Sequence, residues 1–393
     1  MARPATHRDP ASAGSLPVMV PRTLVVTNDF PPRVGGVQQY VWNLVDRLPS
    51  DRVAVLAPNW SGWREHDAAQ HFPVHRWPAK FLWPTGDLAS RVRSLIREHD
   101  ADVVLFGHGF PLAALGPGLA ANGVPYVVLT HGAEVWMARA PGLAAGLRRS
   151  WSGARAVTGV SQYTARAIRP AVPTGVRTEV LWPGVDEKRF APGVDGSPVR
   201  ARHGLGDRPV ILCVSRLVPR KGQDVLIRSM PVVRSLVPDA MLLLVGGGPY
   251  RTALEMLALQ APRGSVVFAG EVLDEELPAH YAACDLFAMP CRSRWGGMEV
   301  EGFGIVFLEA AATGKPVVAG RSGGAAEAIV DEETGLLVES NEPKAVGLAI
   351  AGLLGDPQAA GRMGEAGRAR VEARFTWSGQ AARLAKLLSD AAG

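Results

Sequence analysis

The sequence predicts an α/β protein of two domains, each built on an open parallel sheet. Three observations carry that reading. Short apolar runs alternate with helical stretches, the pattern of βαβ units. Glycine-rich loops follow several of those runs. A stretch rich in Pro, Gly and charge, residues 190–208, divides the 393 residues into two halves, each long enough for a core of its own.

Residues 1–20 are rich in Ala, Pro and Ser, lack an apolar core segment and read as a disordered leader. The first domain is expected over 21–189. Its first strand is Arg22–Thr27. Prolines then stop the strand, and Gly35-Gly36 turns the backbone into a helix from Gln38 to Leu48. Gly36 thus sits at a helix N-terminus beyond a strand end, a ligand position in such sheets. Asp29 and Gln38 flank that loop. Further strands are expected over 53–57, 102–106, 126–130, 156–160 and 179–181, with a helix over Asp87–Glu98. His108 ends one strand in Phe106-Gly107-His108-Gly109. His131, in Thr130-His131-Gly132, ends the next and faces the crevice of Gly36, with Glu134 on the same loop. Arg148 and Arg149, with Trp151 nearby and Arg155 beyond, fit either a basic amphipathic face toward a membrane surface or, more commonly for such residues, a plain solvated helix face.

The second domain is expected over 209–375, followed by a terminal helix over 376–393. Val210–Val214 opens its sheet. The loop after it holds Arg216 and Lys221, two fixed cations able to neutralise a diphosphate. Strands are expected over 241–245 and 266–270, with Val272 just beyond. A helix is expected over Asp274–Ala283, then a strand over 284–290. The organising stretch is 291–325. Glu301 and Glu309 stand eight residues apart, with Gly302 and Gly304 between them and Ile305-Val306 opening a helix. Unpaired N–H groups and partial positive charge at that end suit a phosphate. Glu309, about two turns on, would reach another part of the ligand. After the strand 315–319, Gly320, Gly323 and Gly324 form a second glycine loop.

Composition excludes several classes. Hydrophobic residues make up 47%, so the chain is not disordered. Cys213, Cys284 and Cys291 form neither a metal motif nor a disulfide framework, which suits a reducing cytoplasm. No apolar run reaches the ~20 residues that span a bilayer. Net charge is +5. Residues 1–197 hold 21 Lys+Arg against 15 Asp+Glu, the rest 21 against 22. The basic first half suits an anionic partner such as a lipid surface. The scattered cations speak against nucleic acid.

The stretch around Glu301, Glu309, Gly323, Gly324 and Glu327 resembles the donor-binding signature of the retaining GT-B glycosyltransferases of family 4. With Asn28–Gln38, Ser161-Gln162-Tyr163-Thr164, Ser215–Asp224 and Glu299–Gly302, the chain is most similar to actinobacterial phosphatidylinositol mannosyltransferases that use GDP-mannose. The resemblance implies two Rossmann-like domains facing across a cleft, and a nucleotide-sugar donor. Donor contacts would come from Gly36, Arg216, Lys221, Val272, Glu301, Gly304, Ile305, Val306 and Glu309. Arg216 and Lys221 would hold the leaving diphosphate. Glu301 would grip the sugar and Glu309 the ribose, while His131 would donate a hydrogen bond to the sugar through a backbone or ring group. Asp29, Gln38, His108 and Glu134 are acceptor candidates. The resemblance also implies retention of configuration, no metal and no further cofactor, a phosphatidylinositol mannoside acceptor, and peripheral contact with the inner face of an anionic membrane. Arg294–Met298 departs from the family's glycine-rich run beside the donor sugar. Two alternatives stay open: a family 4 enzyme using another donor, such as UDP-N-acetylglucosamine, on a small cyclitol, and a non-catalytic sugar-nucleotide-binding protein.

Overall fold

The structure, a computed structural model, describes residues 19–393. The leader expected over 1–20 lies outside the described residues except at Met19 and Val20, and Val20 is buried in the first core. Seven strands form the first sheet: β1 (Thr23–Val26), β2 (Val53–Pro58), β3 (Val74–Trp77), β4 (Val103–Phe106), β5 (Tyr126–Thr130), β6 (Ala156–Gly159) and β7 (Arg177–Val180), in the order β3-β2-β1-β4-β5-β6-β7. Six form the second: β8 (Val210–Val214), β9 (Met241–Val245), β10 (Val266–Gly270), β11 (Leu286–Met289), β12 (Val317–Gly320) and β13 (Leu336–Val338), in the order β10-β9-β8-β11-β12-β13. Neighbouring strands pair in parallel, as between β1 and β4 and between β8 and β11. In each sheet the first strand is central and the chain reverses direction beside it. That reversal opens a crevice at the strand C-terminal ends.

The apolar runs are continuous because both faces of each sheet are covered. Val25, Leu105 and Val127 pack with Tyr40 and Leu44 on one face of the first sheet. Leu24, Val26 and Phe106 pack with Leu88, Val92 and Trp151 on the other. Two strands escaped the sequence reading. β3 is an edge strand of sequence Val-His-Arg-Trp, half-buried throughout, and β13 has three residues. The helix expected over Asp274–Ala283 is a 3-10 turn, Asp274–Glu276, followed by the helix Leu277–Ala282.

The stretch 190–208 is no bare connector. Phe190, Val199 and Leu205 are buried in the second core, and Ser197–Arg202 is helical. Pro and Gly gave it the composition of a linker, but its spaced apolar residues anchor it. The last helix, Trp377–Ala392, lies on the first sheet, where Trp377, Leu384, Leu387 and Leu388 join the core of Tyr40 and Leu44.

The halves also meet through Glu327. Its carboxylate accepts from the N–H groups of Gln162 and Tyr163, each at 2.7 Å, and from the indole of Trp182 at 3.2 Å. A residue of the second half thereby caps the helix Gln162–Ile168 of the first. Glu327→Ala should lower unfolding stability by about 1–2 kcal/mol, the cost of a lost cap, measured by denaturant titration.

Candidate active site

A cleft of ≈ 930 Å³ lies between the two sheets. Two helices point their N-termini into it. Gly36–Asp46 begins at the end of the β1 loop, and Ile305–Ala312 begins after the β11 loop. A Cβ added at Gly36 would meet nothing within 4 Å, so the cleft is open above it. Gly304 has φ 89°, and a Cβ there would lie 2.6 Å from the Phe307 ring, so that turn requires glycine. Gly36, Gly304, Ile305 and Val306 all line the cleft, together with Arg216, Lys221, Glu301, His131, Asp29 and Gln38. These residues come from four loops, after β1, β5, β8 and β11, that the fold brings to one place.

The charged centre is Glu301. Its Oε2 accepts from Lys221 Nζ and from Arg220 Nη1, both at 2.7 Å. Burial alone would raise this carboxyl, but Lys221 and Arg220 together outweigh it and hold it below the ordinary value. Glu301 therefore stays ionised, and its Oε1 is left without a protein partner among the described residues. Arg220 is a site residue beyond those expected; its signal in the sequence is a second cation beside Lys221 in the turn Pro219–Lys221. Arg216 stands exposed at the rim. The Gly323-Gly324 loop does not line the cleft. It buttresses Glu301 from behind: Gly324 N–H donates to the Glu301 carbonyl at 2.9 Å, and a Cβ on Gly323 would lie 2.2 Å from that same oxygen.

Glu309 is also turned differently than expected. The helix starts only at Ile305, so Glu309 is about one turn in. Its Oε2 accepts from the Tyr281 hydroxyl at 2.6 Å, outside the cleft lining. Burial pushes its carboxyl up to about 7. Between about 4.5 and 7 the folded state therefore holds a proton that the unfolded chain has released, and stability falls as pH rises through that window. Glu309→Gln should remove this slope, so the variant gains stability relative to the parent between pH 5 and pH 8 in denaturant titrations. Val272 lies half-buried on the loop after β10, likewise outside the cleft lining.

Both groups of His131 that could donate are already engaged, the backbone N–H by Glu134 at 3.2 Å. Its Nε2–H is already given to the Gly107 carbonyl at 2.7 Å, so Nδ1 can only accept. Burial pushes its pKa down to about 3, and the ring is neutral. Tyr40 packs against it edge-on at 5.2 Å. His108 lies beside it, ring centroids 4.9 Å apart, with Nδ1 3.2 Å from Asp29 Oδ2. Asp29 also accepts from the Gln38 amide. Glu134 is no acceptor contact: it is buried, and both its oxygens take backbone N–H groups of Gly109, His131 and Gly132. Trp151 is buried too, so the expected basic face with Arg148 and Arg149 lacks its aromatic member.

Among the described residues, one group of metal-type side chains clusters: His75, Glu98 and His99, at the outer edge of the first sheet. Arg91 donates to His75 Nδ1, which leaves the proton on Nε2 for a 2.7 Å hydrogen bond to His99. The two rings satisfy each other and present no open ligand set.

Residues 34–189 match the profile of Glycosyltransferase Family 4, and residues 198–370 that of Glycosyl transferases group 1. The chain is 47% identical over 373 residues to a GDP-mannose-dependent alpha-(1-6)-phosphatidylinositol monomannoside mannosyltransferase of Mycolicibacterium smegmatis, covering 93% of this chain and 98% of that one. It is 42% identical to a GDP-mannose-dependent monoacylated alpha-(1-6)-phosphatidylinositol monomannoside mannosyltransferase of Corynebacterium glutamicum, covering 94% and 98%. In fold it is similar to Anabaena HepE in complex with UDP-glucose, with TM-score 0.77 at 24% identity over 93% of this chain and 99% of that one. A sucrose-phosphate synthase of Thermosynechococcus elongatus gives TM-score 0.75 at 23% identity, over 93% and 98%.

Proposed function

The chain belongs to the family of GT-B glycosyltransferases that contains the phosphatidylinositol monomannoside mannosyltransferases, and from that premise we propose that it moves an α-mannosyl group from GDP-mannose to a phosphatidylinositol mannoside. The identity to relatives so named supports the donor and the acceptor class. The observation that carries the chemistry is the convergence of two helix N-termini with Arg216, Arg220 and Lys221 on one cleft around an ionised carboxylate.

In this reading, residues 209–375 hold the donor and residues 21–189 the acceptor. As the bond from the anomeric carbon to the diphosphate oxygen breaks, its electron pair goes to the diphosphate. Arg216, Lys221 and the N–H groups at Gly36, Ile305 and Val306 meet that charge. Glu301 Oε1 and neutral His131 Nδ1 accept hydroxyl hydrogen bonds from the sugar and orient it. The acceptor hydroxyl attacks on the face that the phosphate leaves, so configuration is retained, and the departing phosphate oxygen takes its proton. Asp29 and Gln38, in the cleft lining, take the acceptor side, with His108 beside Asp29. Glu309 and Val272, outside the cleft lining, are proposed to meet the ribose and the base where the donor extends beyond it.

A basic and aromatic rim of the first domain supports contact with an anionic membrane. Trp83 and Phe81 are exposed with ring centroids 4.7 Å apart, Arg33 lies over Trp60, and Arg64 over Trp63. Asn28, at the end of β1, holds this segment through both hydrogen bonds of the Leu82 backbone. No described helix is long and apolar enough to cross a membrane.

Thermal unfolding with GDP, UDP and ADP tests the donor. GDP at a hundred times its Kd should add about 2.7 kcal/mol of stability, with UDP and ADP giving much less. The GDP effect and mannosyl transfer should both persist in EDTA, since side chains and helix ends supply the countercharge. A preference for UDP would overturn the GDP-mannose assignment and favour the alternative donor.

A further inference from the structure

We propose that Glu134 is a positioning residue that locks the His131 ring with Nδ1 free to accept from the substrate; the inference rests on the transferase reading above. Two loops flank His131. One leaves β4 as Gly107-His108-Gly109, the other leaves the adjacent, parallel β5 as His131-Gly132. Beyond the strands the N–H groups of Gly109, His131 and Gly132 have lost the sheet ladder and need other partners. The Glu134 carboxylate supplies them on both sides at once. Oε1 accepts from Gly109 N–H at 3.0 Å, and Oε2 from His131 N–H at 3.2 Å and Gly132 N–H at 3.3 Å.

The fit is close. A Cβ on Gly109 would lie 2.8 Å from both Cγ and Oε1 of Glu134. The buried Trp151 indole holds the other side of the same segment, donating to the Gly109 carbonyl at 2.9 Å. Glu134 is 1% exposed, and no ion pair reaches it among the described residues. A buried carboxylate answered only by backbone is costly to keep for stability alone. What it achieves is register between the two loops. With the β4 loop fixed, the Gly107 carbonyl stands 2.7 Å from His131 Nε2 and claims the ring proton. The tautomer is thereby set from outside the cleft, while Nδ1 remains available inside it. Glutamine at position 134 keeps the shape but turns an NH2 group against backbone donors.

The test is ring-15N-histidine NMR with steady-state kinetics on the full chain. The parent should show His131 as the Nε2–H tautomer from pH 5 to pH 8. Glu134→Gln should show a tautomer mixture and a kcat lower by roughly 10- to 100-fold, the scale of a slightly misplaced group, with the KM for GDP-mannose and the stabilisation by GDP little changed. Glu134→Asp should recover part of the rate. Should the glutamine variant not fold, Gly109→Ala displaces the carboxylate and should give the same tautomer mixture. A folded variant with the parent's His131 signature and rate would overturn the proposal. Absence of mannosyl transfer by the parent would instead strike the transferase reading, and the tautomer comparison would still decide the role of Glu134.

Discussion

Lys221→Ala is expected to lower kcat/KM by about 10³, near 4 kcal/mol of transition-state stabilisation, and to remove most of the thermal stabilisation by GDP. Lys221 is 9% exposed, and its ammonium is held in the cleft by Glu301 at 2.7 Å. It is a point charge fixed in place before the donor arrives, so it costs no reorganisation when negative charge builds on the diphosphate. Arg216 is exposed and Arg220 is shared between Glu301 and Glu299, the latter at 3.7 Å, so neither replaces it. The free variant should also lose about 1–3 kcal/mol of stability, because Glu301 keeps only Arg220. The measurements are steady-state kinetics and thermal unfolding with and without GDP. Full GDP stabilisation in the variant would remove Lys221 from the diphosphate site.

Glu301→Gln should separate what Lys221→Ala removes together. The amide keeps the size but cannot hold two cations. Lys221 and Arg220 are then freed toward the diphosphate, so GDP should stabilise the variant at least as well as the parent. Transfer should nonetheless fall by about 10²–10³, because an ionised acceptor for the sugar hydroxyls is gone while their positive partners remain. Calorimetric GDP affinity measured beside kcat decides it. Parallel losses of GDP affinity and rate would assign Glu301 to holding cations alone.

The sequence made the sheets legible because parallel strands buried on both faces are written as unbroken apolar runs, as in Val210–Val214 and Tyr126–Thr130. It hid β3 because an edge strand needs no such run, and it disguised Phe190, Val199 and Leu205 behind neighbouring Pro and Gly. In the site, the glycine turns and the cations of the β8 loop were readable, since their chemistry is local. Partnerships across the fold were not. Lys221 finds Glu301 80 residues on, Glu134 finds Gly109 25 residues back, and Glu327 finds Gln162 165 residues back. The last two turned residues first read as a ligand and a signature position into part of the frame, while the first orients two groups that still face the cleft. His131 shows the same limit: its place beside the cleft followed from a strand end, but its donor or acceptor role depended on where the Gly107 carbonyl lies.

The last helix lies on the first sheet, and this sets an order on biosynthesis. The seven strands have all left the ribosome once Val180 is out, yet Trp377, Leu384, Leu387 and Leu388 come roughly 200 residues later. At about 5–20 residues per second, that is a wait of roughly 10–40 s. Throughout it, the helix Gly36–Asp46 carries an uncovered apolar flank. Each missing side chain withholds about 1.5–3 kcal/mol of burial. The nascent first half thus needs protection by chaperones until Trp377–Ala392 emerges, and a chain cut short before that helix would injure the domain synthesised first.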